Sequence, residues 1–164
     1  MTAPLLLVED EDASVFFFQH VTKKLGITNE LRVVRDGRAA LDYLEGTGPF
    51  ADRVGHPLPG LVILDVRLPR ATGFEVLELI RARPETRNLI VLMMTASGSE
   101  EDIEKAYRLG ANAYLIKPLG LENLEALIRS IRDFWLTQNH APSLNQSWQP
   151  QEAMGNPSVL PTSA

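Results

Sequence analysis

The sequence predicts an α/β protein, a parallel sheet of five strands with a helix following each strand. Three observations carry that prediction. Five short apolar runs of strand length alternate with segments whose apolar residues recur at helical spacing, the pattern of a βα series. The runs are apolar at consecutive positions rather than alternate ones, as strands covered on both faces are. Finally, 164 residues with 45% hydrophobic and 23% charged side chains suit one globular domain able to bury a core.

The strands are read at Leu5–Val8, Leu31–Val34, Leu61–Leu64, Leu89–Met94 and Ala113–Ile116, with the third, the most apolar, placed centrally. In the first helix Phe17, Phe18, Val21 and Leu25 form the apolar face, and Gly26 is the stop. Val15 and Phe16 widen that face and are read as extra packing under a loop. Ala40, Leu41 and Leu44 mark a second helix after the Asp36-Gly37 turn. Phe74, Val76, Leu77 and Ile80 mark a third that ends before Pro84. Ile103, Ala106, Tyr107 and Leu109 mark a fourth, stopped by Gly110. Leu121, Leu124, Leu127, Ile128, Ile131, Phe134 and Trp135 mark one long fifth helix. The stretch Gly46 to Gly60, with Pro49, Pro57 and Pro59, reads as a long irregular surface loop. Residues 1–137 are therefore the folded domain. Residues 138–164, rich in Pro, Gln, Asn and Ser, read as a flexible tail too short to fold alone.

Composition narrows the function classes. Sixteen Lys and Arg against twenty-one Asp and Glu give a formal charge of −5, so no overall positive field favours nucleic acid or an anionic membrane. There is no cysteine for disulfides, thiolate metal sites or a thiol nucleophile. No apolar run approaches the roughly 20 residues of a spanning helix, and the N-terminus lacks the basic start of a secretory signal. The expectation is a soluble cytoplasmic protein.

In a parallel sheet the residues just past each strand meet at one edge, where such folds bind their ligands. Here they are Glu9-Asp10 after the first strand, Asp65 after the third, Thr95-Ala96-Ser97 after the fourth and Lys117-Pro118 after the fifth. Each has an ordinary structural explanation by itself, as a turn residue, a helix cap or a solvated charge. Their coincidence at four strand ends points to a site. Clustered carboxylates repel and so take up protons or hold a cation, and an all-oxygen set suits Mg²⁺. A lysine and a threonine hydroxyl at the same edge complement phosphoryl oxygens. With no Ser/His or Cys/His pair evident, the candidate nucleophile is a carboxylate, Asp65, beside which Ala96 leaves room.

Val8-Glu9-Asp10, Leu64-Asp65-Val66-Arg67-Leu68-Pro69 with Gly73 downstream, Met94-Thr95-Ala96 and Tyr114-Leu115-Ile116-Lys117-Pro118 follow one another in an order that resembles the receiver domain of bacterial two-component response regulators. The resemblance covers about residues 4 to 136. It implies a doubly wound, flavodoxin-like sheet of order 2-1-3-4-5, and Asp65 as acceptor of a phosphoryl group from a sensor histidine kinase. It implies Mg²⁺ held by Glu9, Asp10, Asp65 and the backbone carbonyl of Arg67, with Lys117 and Thr95 on the phosphoryl oxygens. Tyr114 would be the aromatic switch coupled to Thr95, and the Lys117-Pro118 bond would be cis. The fourth helix, fifth strand and fifth helix, roughly Glu100 to Leu136, would form the signalling face, which serves family members for dimers or targets. Output would then run through a downstream protein or a phosphotransfer protein.

The loop from Tyr43 to Gly60, the run Ala111-Asn112-Ala113-Tyr114-Leu115 and the ending Asp133-Phe134-Trp135-Leu136 resemble the small stand-alone regulators that partner bacterial phytochrome kinases. Glu9 stands where the plainest pattern has Asp. Arg67 and Ser97 occupy positions where family members tune phosphate lifetime. Three rival readings were weighed. A Mg²⁺-dependent aspartyl-phosphate phosphohydrolase would want an acid where Arg67 stands. A phosphorylation-independent adaptor has no need of three mutually repelling carboxylates. A flavodoxin-like nucleotide binder would want a Gly-rich phosphate loop. His20, His56 and His140 show no metal spacing and are assigned no chemistry.

Overall fold

Runs of Leu, Ile and Val too short for helices form the sheet of the computed structural model, which describes residues 3–141. β1 (Leu5–Val8), β2 (Leu31–Val34), β3 (Leu61–Leu64), β4 (Ile90–Thr95) and β5 (Ala113–Ile116) pair in parallel, in the order 2-1-3-4-5. The chain steps from β1 outward to β2 and then back across to β3. That reversal opens a crevice at the carboxyl ends of β1 and β3.

Successive strand residues point to opposite faces and feed two cores. Leu6, Val8, Val62, Leu64, Val91 and Met93 pack against α2 (Gly37–Glu45), α3 (Gly73–Ala82) and Ala106 of α4 (Glu100–Arg108). Leu5, Leu7, Leu61, Ile63 and Leu92 pack against Val15, Phe18 and Val21 of α1 (Asp12–Lys24), and against Ile128 and Ile131 of α5 (Leu121–Ile131). Double coverage is why the strands carry no alternation. Each fully buried Leu, Ile or Val side chain contributes about 1.5–3 kcal/mol, so these strands anchor the edge on which the site is built.

Several expectations are corrected. In α1 the buried stripe is Val15, Phe18, Val21 and Thr22, while Phe16 and Phe17 are 62% and 44% exposed. The stripe steps by three and four residues, and Phe17 lies off it beside Phe18 at about 100° around the helix. Phe16 does not pack under a loop but stacks on His20. In α4 only Ala106 is buried, and Tyr107 is exposed. The long fifth helix is two elements, since Arg132–Gln138 is π-helical. Its wider turn carries the Asn139 N–H back to the Phe134 carbonyl at 2.8 Å. This places Trp135 and Leu136 against the α1-side core and leaves Phe134 outside. The Gly46 to Gly60 stretch is not wholly irregular: Gly48–Phe50 forms a 3₁₀ turn, and His56 packs edge to face with both Tyr43 and Phe50. Tyr43 also donates to the Pro57 carbonyl at 3.0 Å. The flexible tail expected from residue 138 onward lies, beyond residue 141, outside the described residues.

α3, which follows the Asp65 loop, starts with a reciprocal cap. Thr72 N–H donates to Glu75 Oε2 at 2.7 Å, and Glu75 N–H donates to Thr72 Oγ1 at 3.3 Å. The Thr72 backbone N–H, followed by its hydroxyl, holds the Glu75 carboxyl below its usual value of 4.5. A carboxyl depressed on folding stabilises the native state above its unfolded value, and the contribution is lost as pH falls through the lower folded value. Glu75→Ala is therefore expected to lower the urea midpoint at about pH 6, and the gap to wild type to narrow at about pH 3.

Candidate functional site

Strand register brings the site together. Val8 lies level with Leu64, Leu64 with Met93, and Thr95 with Ile116, so the residues that follow share one edge. Main-chain bonds continue the sheet past the strands: Glu9 N–H to the Val34 carbonyl at 3.0 Å, Asp65 N–H to Val8 at 3.1 Å and Lys117 N–H to Thr95 at 2.8 Å. Backbones are thus fixed where the functional side chains leave them.

Glu9, Asp65 and Thr95 are buried, at 1%, 7% and 2% exposure, whereas Asp10 faces solvent. The Lys117 ammonium lies 2.5 Å from Asp65 Oδ2 and 2.6 Å from Glu9 Oε2. Asp65 Oδ1 accepts the Arg67 N–H at 3.1 Å, and Glu9 Oε1 accepts the Glu11 N–H at 3.2 Å. Glu9 Oε2 touches Lys117 as an ion pair but without hydrogen-bond alignment, so this buried oxygen keeps open coordination. Burial pushes the Glu9 carboxyl up, partly offset by Lys117. Burial alone would lower Lys117, but its bonds to Asp65 and then Glu9 outweigh that and hold it above its usual range. The two carboxylates thus favour the charged form of Lys117.

One oxygen from each of Glu9, Asp10 and Asp65 lies within 4.8 Å of the others. When ionised, three carboxylates against one ammonium leave two negative charges, which a divalent cation neutralises. The orphaned Glu9 Oε2 and the all-oxygen donor set both fit such an ion. An open cleft of about 620 Å³, lined by Asp10, Arg67, Thr72 and Asp102 among others, leads into this edge.

The turn after Asp65 permits only glycine at position 73. A Cβ there would stand 2.0 Å from the Asp65 carbonyl oxygen, and the Gly73 N–H donates to Val66 at 2.9 Å. On the far side Thr95 Oγ1 lies 3.5 Å from the Ser97 N–H, and the Tyr114 hydroxyl donates to the Ser97 carbonyl at 2.8 Å. Burial, then Asp102 and Asp65, raise the Tyr114 hydroxyl above its usual value. The expected cis bond before Pro118 is corrected: no described peptide is cis. Trans is favoured by about 0.5–1 kcal/mol before proline, and from it Lys117 already reaches both carboxylates. Sequence reasoning passed over Asp102, whose only signal is the Ser99-x-x-Asp102 capping spacing.

A doubly wound sheet with an acidic cluster and an opposed lysine at its switch point is an arrangement suited to a divalent cation. Residues 5–129 match the response regulator receiver domain, and the chain belongs to that family. It is 39% identical over 138 residues to the probable methanogenesis regulatory protein FilR2 of Methanothrix harundinacea, covering 84% of this chain and 86% of that one. It is 37% identical over 132 residues to response regulator Rcp1 of Synechocystis sp., covering 80% and 88%. The Mn²⁺-bound structure of Rcp1 superposes with a TM-score of 0.79 at 35% identity, covering 86% of this chain and 99% of that one. The phosphorylated cyanobacterial phytochrome response regulator RcpA superposes at 0.81 and 32% identity, covering 87% and 100%. These relatives are signalling proteins. Among the described residues no helix is long and apolar enough to cross a membrane.

Two outcomes follow from this geometry. Gly73→Ala forces the Asp65 loop aside and lowers stability by about 1–3 kcal/mol in chemical denaturation. Mn²⁺ or Mg²⁺ raises the thermal midpoint with the logarithm of its concentration above Kd, a stabilisation of about 2.7 kcal/mol at a hundredfold excess, and Asp10→Asn weakens that binding about 10-fold or more in a calorimetric titration.

Proposed function

We propose that this protein accepts a phosphoryl group on Asp65 from a phosphohistidine of a sensor histidine kinase, with Mg²⁺ held by Glu9, Asp10, Asp65 and the Arg67 carbonyl. The observation that carries the reading is the Lys117 ammonium set between Glu9 and Asp65 in a cluster of three carboxylates at one sheet edge. An Asp65 oxygen bonds to phosphorus as the P–N bond breaks, and the bonding pair stays on the departing imidazole nitrogen, which takes up a proton. Mg²⁺ supplies charge neutralisation for the phosphoryl oxygens when bound. Lys117 needs no new proton to follow the charge: as the phosphoryl group occupies Asp65, the ammonium exchanges a carboxylate oxygen for a phosphoryl oxygen. Thr95 accepts from Ser97 and so keeps its own O–H free to donate to a second phosphoryl oxygen.

Tyr114, whose hydroxyl donates to the carbonyl of that same Ser97, is the switch that reports movement of Thr95 to α4, β5 and α5. That face is where we place a downstream protein or phosphotransfer partner, or a second copy of the chain. Residues 1–137 make up the working domain, acting in the cytoplasm as a phosphoacceptor rather than an enzyme. A phytochrome-type kinase is the proposed donor, on the strength of RcpA, a phytochrome response regulator, and of response regulator RPA3017, which acts in red light signalling of R. palustris.

Intact-protein mass spectrometry after incubation with Mg²⁺ and a small acyl phosphate tests this. Wild type gains one phosphoryl mass, whereas Asp65→Asn and wild type with chelator gain none. Retained labelling of Asp65→Asn, or a folded, metal-binding wild type that never labels, contradicts the reading.

A further inference from the structure

Among the described α-helices α4 buries the fewest residues, Ala106 alone. Its C-terminal half is pinned to α3. Lys105 lies over the Phe74 ring at 4.5 Å, and Arg81 donates from Nε to the Gly110 carbonyl at 2.9 Å and from a terminal nitrogen to Asn112 Oδ1 at 3.0 Å. Its N-terminal end is held differently, through the loop that begins at Thr95.

Ser99 caps α4, accepting the Asp102 N–H at 3.2 Å. In an ordinary capping box the side chain three residues into the helix would return to the Ser99 N–H. Here the Ser97 hydroxyl stands between them. It donates to Asp102 Oδ2 at 3.3 Å and accepts the Ser99 N–H at 3.4 Å. The rest of Ser97 faces the site: its N–H reaches Thr95 Oγ1, and its carbonyl accepts from Tyr114. One residue therefore uses every polar group it has to join Thr95, Tyr114 and the cap of α4.

Among the described residues no hydrogen bond joins the Thr95 hydroxyl to Asp65 or to the Lys117 ammonium. To bond a phosphoryl group on Asp65, the Thr95 hydroxyl has to advance, and Ser97 two residues on is drawn with it. Asp102 resists that movement. We infer that Asp102 is a positioning residue that holds the Ser97 hydroxyl in the resting arrangement and thereby sets how readily Thr95 engages the phosphoryl group. It rests on the reading of Asp65 as phosphoacceptor. An interaction made only in the resting arrangement opposes phosphorylation by its full differential free energy. For one long, part-exposed hydrogen bond such as this, at the weak end of the range, this corresponds to roughly a three- to tenfold effect.

The test compares wild type, Asp102→Ala, Asp102→Asn and Ser97→Ala in labelling by Mg²⁺ and a small acyl phosphate. Asp102→Ala and Ser97→Ala label roughly three- to tenfold faster than wild type, since both remove the same bond. Asp102→Asn, which keeps an acceptor oxygen, stays within about twofold of wild type. A residue that only caps the helix would give no acceleration, because the Asp102 N–H to Ser99 bond survives in every Asp102 variant. Equal or slower labelling of Asp102→Ala overturns the inference. So does an Asp102→Asn rate matching Asp102→Ala, which would make charge repulsion, not the hydrogen bond, the cause. A wild type that does not label at all instead removes the phosphoacceptor reading beneath it.

Discussion

A single ammonium, Lys117, holds apart and satisfies two carboxylates that would otherwise be buried against each other at the end of the sheet. Burying an ion without a partner costs several kcal/mol, so Glu9 and Asp65 are tolerable together only because this cation lies between them. The compensation is incomplete. Asp10 adds a third charge at the mouth, and one Glu9 oxygen has no aligned donor. The site is therefore stable enough to fold and unsatisfied enough to take up a cation.

The rest of the fold serves that geometry. Strands buried on both faces hold the edge rigid, and their parallel register sets residues from distant parts of the chain at one level. The glycine at position 73 lets α3 start hard against the Asp65 main chain. By contrast, the β4–α4 loop is tied down by side-chain hydrogen bonds more than by apolar burial. The edge is thus rigid on the Asp65 side and held by breakable hydrogen bonds on the Thr95 side, which under the proposed function lets a charge change at Asp65 be read out at α4.

Most of the fold was legible because its signals are local. Continuous apolar runs such as Leu61–Leu64 have few alternatives once helical segments flank them, and the rule that parallel strands end at one edge brings Glu9, Asp65 and Lys117 together without coordinates. What escaped depends on phase and three-dimensional detail. Phe17 and Phe18 are equally apolar in sequence, and only the exact stripe of α1 buries one and exposes the other. The π-helical stretch from Arg132 has no residue signature that separates it from a continued α-helix. The Lys-Pro pair itself is compatible with either isomer, and the described chain is trans there. In the sequence Asp102 is one of three acids in a helix first turn, and its contact with Ser97 exists only with the loop folded over the cap.

The most direct test of the account is to locate the modified atom. Protein incubated with Mg²⁺ and an acyl phosphate is reduced with borohydride, which converts an aspartyl phosphate to homoserine, and its peptides are sequenced by tandem mass spectrometry. The account predicts homoserine at position 65 and no other modified carboxylate. Homoserine at Asp10 or another acid, or a phosphoryl group that survives on a serine or threonine, would contradict it.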